Sequence, residues 1–239
     1  MIAKACNVMK ELLYPRHCPV CDEIVLLREG LCCRECRSVF QRVQPPRCIK
    51  CGKHVEASEN QMLCYDCSRA PKHFERGFSL FEYASVHDSV HMFKNRGRCE
   101  YADYYARCIY ETFGEKIRET EADAIIPIPL HPSKQKKRGY NQAALLAKQL
   151  GEMCRIPVRE DVLLRVQRTS VQKHLNHLER QNNMKKAFHI DENDVKLNKI
   201  ILVDDVYTTG NTIEEAARVL KEHGVKSVYF VTLAVGFGR

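Results

Sequence analysis

The sequence predicts an α/β protein, an open parallel sheet flanked by helices, preceded by a small cysteine-rich module. Three observations predict it. Apolar runs of strand length at 124–128, 199–203 and 225–235 each lie next to an amphipathic helical stretch. A strand–turn–helix string occupies residues 200–212. Ten of the thirteen cysteines fall before residue 68.

A chain of 239 residues accommodates one substantial core plus a small module. With 44% hydrophobic and 28% charged residues, its composition is that of an ordinary soluble globular protein. No run approaches the roughly 18 consecutive apolar residues of a membrane helix, so membrane insertion is not expected. At the start, Ile2, Ala5, Val8, Met9 and Leu12 recur at helical spacing, interrupted by Lys4, Lys10 and Glu11. That pattern lacks the apolar centre of a signal peptide, and the expected location is cytoplasmic. The formal charge of +8 assumes neutral thiols. Two tetrathiolate zinc sites would carry about −2 each and bring the balance to about +4.

In a cytoplasmic setting, clustered cysteines point to metal rather than disulfides. Four Cys-x-x-Cys pairs follow one another: Cys18/Cys21, Cys33/Cys36, Cys48/Cys51 and Cys64/Cys67. Each pair can grip one metal from a tight knuckle, and a second knuckle completes a tetrahedron. The gaps of 11 residues within the first two pairs and 12 within the last two suit two successive zinc ribbons. Spacing alone leaves a crossed pairing open, and four thiolates also suit an iron–sulfur cluster, with zinc favoured. Four sulfurs leave no position for water, so the metals are structural. Cys32 adjoins Cys33 and is an alternative ligand in a looser loop. Cys6, Cys99, Cys108 and Cys154 are read as small core residues on helical segments.

The polar stretch at 68–78, with Pro71 and Gly77, marks the boundary between a module at 1–70 and a domain at 77–239. A strand is expected at 78–83, a helix through 87–93, the basic turn Phe93-Lys94-Asn95-Arg96-Gly97-Arg98 and a tyrosine-rich helix at 100–118. The tyrosines recur at helical spacing, which indicates core packing. A short strand at 124–129 runs into the loop HPSKQKKRGYNQ, then a helix at 141–154. Lys134, Lys136, Lys137 and Arg138 concentrate charge at that strand-to-helix junction, the edge where open parallel sheets bind ligands. Residues 165–188 are polar, basic and glycine-free, and read as a mobile loop with a short helix, the type of segment that forms lids. His174 and His177 lie within it without an acidic or cysteine partner.

The apolar run at 199–203 is that of a strand buried on both faces, which Asp204 and Asp205 are expected to end. Thr208-Thr209-Gly210-Asn211-Thr212 follows, then a helix with a buried stripe of Ile213, Ala216, Ala217 and Leu220 that Gly224 stops. Small residues let backbone N–H groups converge on an anion, and the helix start adds partial positive charge. Threonine hydroxyls add donors. The two carboxylates suit sugar hydroxyls or Mg²⁺-bound water. Phosphate on one side and carboxylates on the other describe a ribose 5-phosphate site. A nucleotide-triphosphate loop is excluded, because its lysine and spacing are missing.

Residues 200–212 resemble the phosphoribosyl-pyrophosphate (PRPP) signature of type I phosphoribosyltransferases. With the Cys-x-x-Cys pairs, Phe93-Lys94-Asn95-Arg96-Gly97, Pro127-Ile128-Pro129-Leu130-His131-Pro132, Arg138-Gly139-Tyr140-Asn141-Gln142 and the Gln172…Arg180…Asn183 region, the layout resembles the ComF family, the ComFC-like competence proteins of bacteria. The resemblance covers nearly the whole chain. It implies a type I phosphoribosyltransferase fold, a Rossmann-like parallel sheet of about five strands with a hood and a flexible loop, behind an N-terminal zinc-ribbon module. It also implies that Asp204 and Asp205 address the ribose hydroxyls, that Thr208, Thr209, Gly210, Asn211 and Thr212 cradle the 5-phosphate, and that Leu130 and His131 hold pyrophosphate with Mg²⁺. The implied partners are PRPP, single-stranded DNA entering the cytoplasm, a helicase-like protein and recombination proteins. In 6-oxopurine phosphoribosyltransferases an aspartate stands just before the Thr-Gly pair. Thr208 takes that place here, so purine salvage is not carried over and no catalytic residue is assigned.

Three functions fit these residues, and the first is the favoured one. One is DNA handling in natural transformation with PRPP bound, the basic segments forming a backbone-tracking groove. Another is phosphoribosyl transfer to a small acceptor. The third is a non-catalytic PRPP sensor or scaffold.

Overall fold

The computed structural model describes residues 15–25, 29–56, 62–165, 187–190 and 196–236. The expected N-terminal helix with Cys6 lies largely outside them, as do the loop with His174 and His177 and the Gln172…Arg180…Asn183 region.

The central sheet is built from β1 (Arg76–Glu82), β2 (Ala124–Pro127), β5 (Lys199–Tyr207) and β6 (Ser227–Val235), all parallel, in the order β1-β6-β5-β2. Beyond β2, a parallel bridge between Ile125 and Val158 adds one further rung, so among the described residues four strands and a bridge stand where about five strands are expected. Between β1 and β2 lie α2 (Tyr83–Asn95) and α3 (Tyr101–Arg118). After β2 come α4 (Pro132–Arg138) and α5 (Gln142–Cys154), and α6 (Asn211–Glu222) follows β5. A second, antiparallel sheet, not expected from the sequence, pairs β3 (Leu163–Arg165) with β4 (Phe188–Ile190). The first helix, α1 (Tyr65–Ser68), belongs to the cysteine module.

Two elements differ from expectation. Residues 132–138 are helical rather than loop: His131 caps the helix N-terminus, Pro132 sits in its first turn and Gly139 closes it. The proline-in, glycine-out asymmetry was the available signal, hidden by the lysine run. Asp204 and Asp205 do not end their strand, because β5 continues to Tyr207 with Asp204, Val206 and Tyr207 still paired to β6. Among the cysteines, Cys108 and Cys154 are buried on helices as expected, whereas Cys99 lies in the turn before α3.

Alternation along β5 and β6 sorts the core into two faces. Ile201, Val203, Val231 and Leu233 pack with α2, α3 and α5, and Ile200, Leu202, Val228 and Phe230 pack with α6. The cysteine module straddles the sheet. Cys18, Val25, Cys32 and Phe40 join the first cluster, and Cys48, Cys51, Val55 and Cys67 join the second. The chain passes from one face to the other along the free edge of β1. There Val43 donates to Leu80 O (2.9 Å) and Glu82 to Gln41 O (2.9 Å), covering the backbone of an edge strand that is otherwise open to aberrant pairing. None of the described helices is long and apolar enough to cross a membrane.

Candidate functional site

The eight predicted metal ligands form two groups. The Sγ atoms of Cys18, Cys21, Cys33 and Cys36 lie within 4.8 Å of one another, and so do those of Cys48, Cys51, Cys64 and Cys67. The grouping is sequential, not crossed. Cys32 stands outside the first group, buried, with its sulfur 3.6 Å from that of Cys18. Four thiols so close cannot all ionise unaided. The Cys48 thiol is pulled down by hydrogen bonds from Cys51, Cys64 and Cys67, and hydrogen bonds with Cys48, Cys64 and Cys67 push Cys51 up. A dication removes that conflict by accepting all four as thiolates, the chemistry of a structural zinc site.

The second site lies at the carboxyl ends of β5 and β2. Asp205 is 5% exposed and both of its oxygens are engaged. Oδ1 pairs with Lys94 Nζ at 2.7 Å, and Oδ2 accepts from the Gln142 amide, which in turn accepts from Arg138. Tyr140 donates its hydroxyl to Phe93 O, so the two motifs Phe93-Lys94 and Arg138…Gln142 are joined directly as well. Asn141 accepts from Ala143 N (3.0 Å), capping α5, and donates to Ile128 O (3.0 Å), holding the turn that leads to Leu130 and His131. One buried carboxylate thus gathers three segments distant in sequence. A buried charge is tolerable only when paired and hydrogen-bonded, as Asp205 is.

Asp204, its neighbour, is half-buried and accepts the Asp205 N–H at 2.8 Å. Burial, then the charge of Asp205, push its carboxyl up to about 7, against the pull of Lys94 and Arg165. Lys134 is lowered by desolvation and by the repulsion of Arg165, Arg138 and Lys94. Lys94 and Arg165 thus act on Asp204, Lys94 and Lys134 on Asp205, and Arg138 reaches Asp205 through Gln142. Lys94 and Arg138 stand in the segments assigned from sequence to a basic groove. Gln142 and Arg165 were missed as site residues. Gln142 carried only a motif signal, and Arg165 comes from β3, which had none.

Past Tyr207, Thr208 is exposed, Thr209, Asn211 and Thr212 are half-buried, and Gly210 is buried at the start of α6 with φ +80°. Gly210 is required twice over. That backbone conformation is costly for other residues, and a Cβ would collide with the Tyr207 hydroxyl. His131 and Leu130, in the turn after β2, are half-buried, the His131 ring accepting Ser133 N at 3.2 Å. All nine predicted ligand-binding residues therefore occupy the carboxyl edge of one sheet, where doubly wound folds bind ligands.

A double zinc ribbon domain model matches residues 9–68 and a phosphoribosyl transferase domain model matches residues 106–236, more than half of the chain. The chain belongs to the phosphoribosyl transferase domain family, in its ComF-type branch. Among curated ComF-type relatives, the DNA utilization protein YhgH of Salmonella typhimurium is 31% identical over 222 residues, 91% of this chain and 96% of that protein. Competence protein F of Haemophilus influenzae is 29% identical over 215 residues, covering 87% and 92%. Competence protein ComFC of Bacillus subtilis is 29% identical over 199 residues, covering 80% and 78%. Among solved structures, the purine phosphoribosyltransferase of Pyrococcus horikoshii aligns at 20% identity over 56% of this chain and 87% of that one, with a TM-score of 0.31. The assignment to the ComF-type branch therefore rests on the domain matches and the curated relatives.

Proposed function

We propose that this chain is a ComFC-like protein of natural transformation that binds PRPP with Mg²⁺ in the cleft and handles internalised single-stranded DNA on the basic surface beside it. The observation that carries this reading is the gathering of Lys94, Gln142 and Arg138 on Asp205 beside the Gly210 helix start. Donors for a phosphate, a half-buried carboxylate for sugar hydroxyls and a cationic wall for pyrophosphate then share one cleft. Mg²⁺ would take the Asp204 carboxylate, directly or through water, together with oxygens of the ligand, as this ion does at phosphate sites. The names of the relatives, which refer to competence and DNA utilization, support the DNA role. On this reading residues 1–70 are the ribbon module, residues 77–239 the PRPP-binding domain, and the protein works in the cytoplasm with helicase-like and recombination partners.

Calorimetric titration with PRPP and Mg²⁺, and single-stranded DNA binding across a salt series, test the two halves. Saturable PRPP binding and DNA affinity that falls steeply with salt are expected. Salt-independent DNA binding would defeat the DNA half. The match to a phosphoribosyl transferase domain favours a second reading, transfer to a small acceptor. Pyrophosphate release from PRPP with candidate acceptors, in the absence of DNA, distinguishes it.

A further inference from the structure

The second ribbon lies directly beneath the phosphate loop. Tyr207, the last residue of β5, stacks on Phe230 with ring centroids 5.0 Å apart and planes at 7°, and Phe74 meets both rings edge-on. The Tyr207 hydroxyl abuts Gly210 from below, leaving no room for a side chain there. Over the Tyr207 ring stands Lys53, two residues after the metal-site residue Cys51, with Nζ 5.6 Å from the ring centroid. Lys53 is buried and ion-paired at 2.7 Å to Asp66, which neighbours Cys67.

The ribbon is in turn fastened to β1. Lys50 O accepts from Gly77 N (2.6 Å) and Cys51 O from Ser79 Oγ (3.2 Å), while Ser79 also bonds Thr232 Oγ1 on β6 (2.9 Å). Gly52, at φ +76°, makes the approach close enough that a Cβ would stand 3.1 Å from Gly77 O. Metal-binding knuckles, Lys53, Tyr207 and Gly210 thus form one packed column.

We infer that the second ribbon is a brace for the phosphate loop, with Lys53 and Tyr207 as positioning residues through which its metal-held fold fixes the backbone of residues 208–212. The inference deepens the PRPP reading and rests on it for the ligand, but not for the mechanics. Lys53 contributes a desolvated cation over an aromatic face, an interaction strengthened by burial. Tyr207 fills the space under Gly210, so the loop cannot sag towards the core. Without the brace, the loop amides lose a fixed direction, and a convergent set of donors becomes a divergent one.

Two measurements on the full zinc-loaded chain test this. In the ligand-free protein, hydrogen exchange at the amides of residues 208–212 should accelerate at least about tenfold in Lys53→Met and Tyr207→Leu, with Tyr207→Phe restoring most of the protection. In titrations, Lys53→Met should weaken ribose 5-phosphate about tenfold, within the range usual for coupled sites, and leave pyrophosphate within about twofold. Both zinc ions should be retained in Lys53→Met, which separates loss of the brace from loss of the ribbon. Unchanged loop exchange in both weakening variants, or equal weakening of both ligands, would overturn the brace. A wild-type chain that binds neither ligand would overturn the PRPP reading, and loop exchange would still decide the brace.

Discussion

The two ribbons share a ligand pattern but do different work. The first packs on helices. Phe40, in the segment that follows it, meets Phe81, Tyr104 and Tyr105 at centroid distances of 5.5, 6.3 and 6.4 Å. Around that contact run partly exposed ion pairs, Arg16–Asp103 at 2.7 Å and Asp22 with Arg98 at 2.7 Å, and Tyr101 donates to Asp22 at 2.6 Å. Exposed pairs contribute about 0–1 kcal/mol each, so the aromatic packing holds the ribbon and the ion pairs set where the Lys94–Arg98 turn lies. The second ribbon has three of its four cysteines buried against the sheet, where the first has one. Its contacts reach the phosphate loop itself. On the proposed reading, one ribbon would steady the basic turn at Lys94–Arg98 and the other the loop at 208–212, so loss of each metal should have a distinct signature.

The largest expected difference follows from disabling one metal site at a time. Cys51→Ser with Cys64→Ser should release one zinc per chain and abolish measurable PRPP binding. Cys21→Ser with Cys33→Ser should also release one zinc but weaken PRPP only several-fold, because Lys94 remains tied to Asp205 and Tyr140 to Phe93. Metal analysis beside calorimetry reads both, and equal losses of affinity would erase the distinction. Next in size, Gly210→Ala adds a Cβ against Tyr207 and puts an L side chain in the left-handed region, a strain of about 1–2 kcal/mol before the collision. PRPP affinity should fall at least about tenfold while both zinc ions stay bound.

Asp204 gives a prediction that separates binding from stability. Its folded-state pKa is raised, so the folded chain holds a proton that the unfolded chain releases at lower pH. Its contribution is therefore lost as pH rises from the ordinary carboxylate range through about 7, and the charged form is penalised above that. PRPP binding, which needs the carboxylate, should strengthen over the same rise. Asp204→Asn should melt higher than wild type at pH 8 and bind PRPP far more weakly. A variant less stable at pH 8 would contradict the account of the shift. The smallest effect belongs to Asp22→Asn, which loosens the turn after α2. It should leave PRPP binding within about twofold and weaken single-stranded DNA a few-fold, in keeping with a partly exposed ion pair.

Much of this was legible in the sequence, for reasons that differ by element. Strands β5 and β6 announced themselves because burial on both faces demands an unbroken apolar run. The metal groups did so because knuckle spacing is local. The string at 208–212, proposed as the phosphate loop, is equally local, and its place at the carboxyl end of β5 followed from the apolar run before it. What sequence could not give was pairing at a distance. That Lys94 and Gln142 share the carboxylate of Asp205 depends on two helices crossing the same sheet edge. The isolated Asp-Asp pair looked like a strand terminator because Gln142, which donates to Asp205, lies 63 residues away in sequence and the Lys94 cation lies farther still. The passage of the module along β1, one ribbon to each face, left no mark beyond the apolar residues Phe40 and Val43.

The central claim is that this cleft binds PRPP through the aspartate pair and the loop after it. Calorimetry of PRPP with Mg²⁺, on the zinc-loaded wild type and on a variant with Asp204→Ala and Asp205→Ala, tests it most directly. The account predicts one saturable site per chain in the wild type and none in the variant, with both zinc ions still bound. Equal PRPP affinity in the two proteins, or no binding by the wild type, would contradict it.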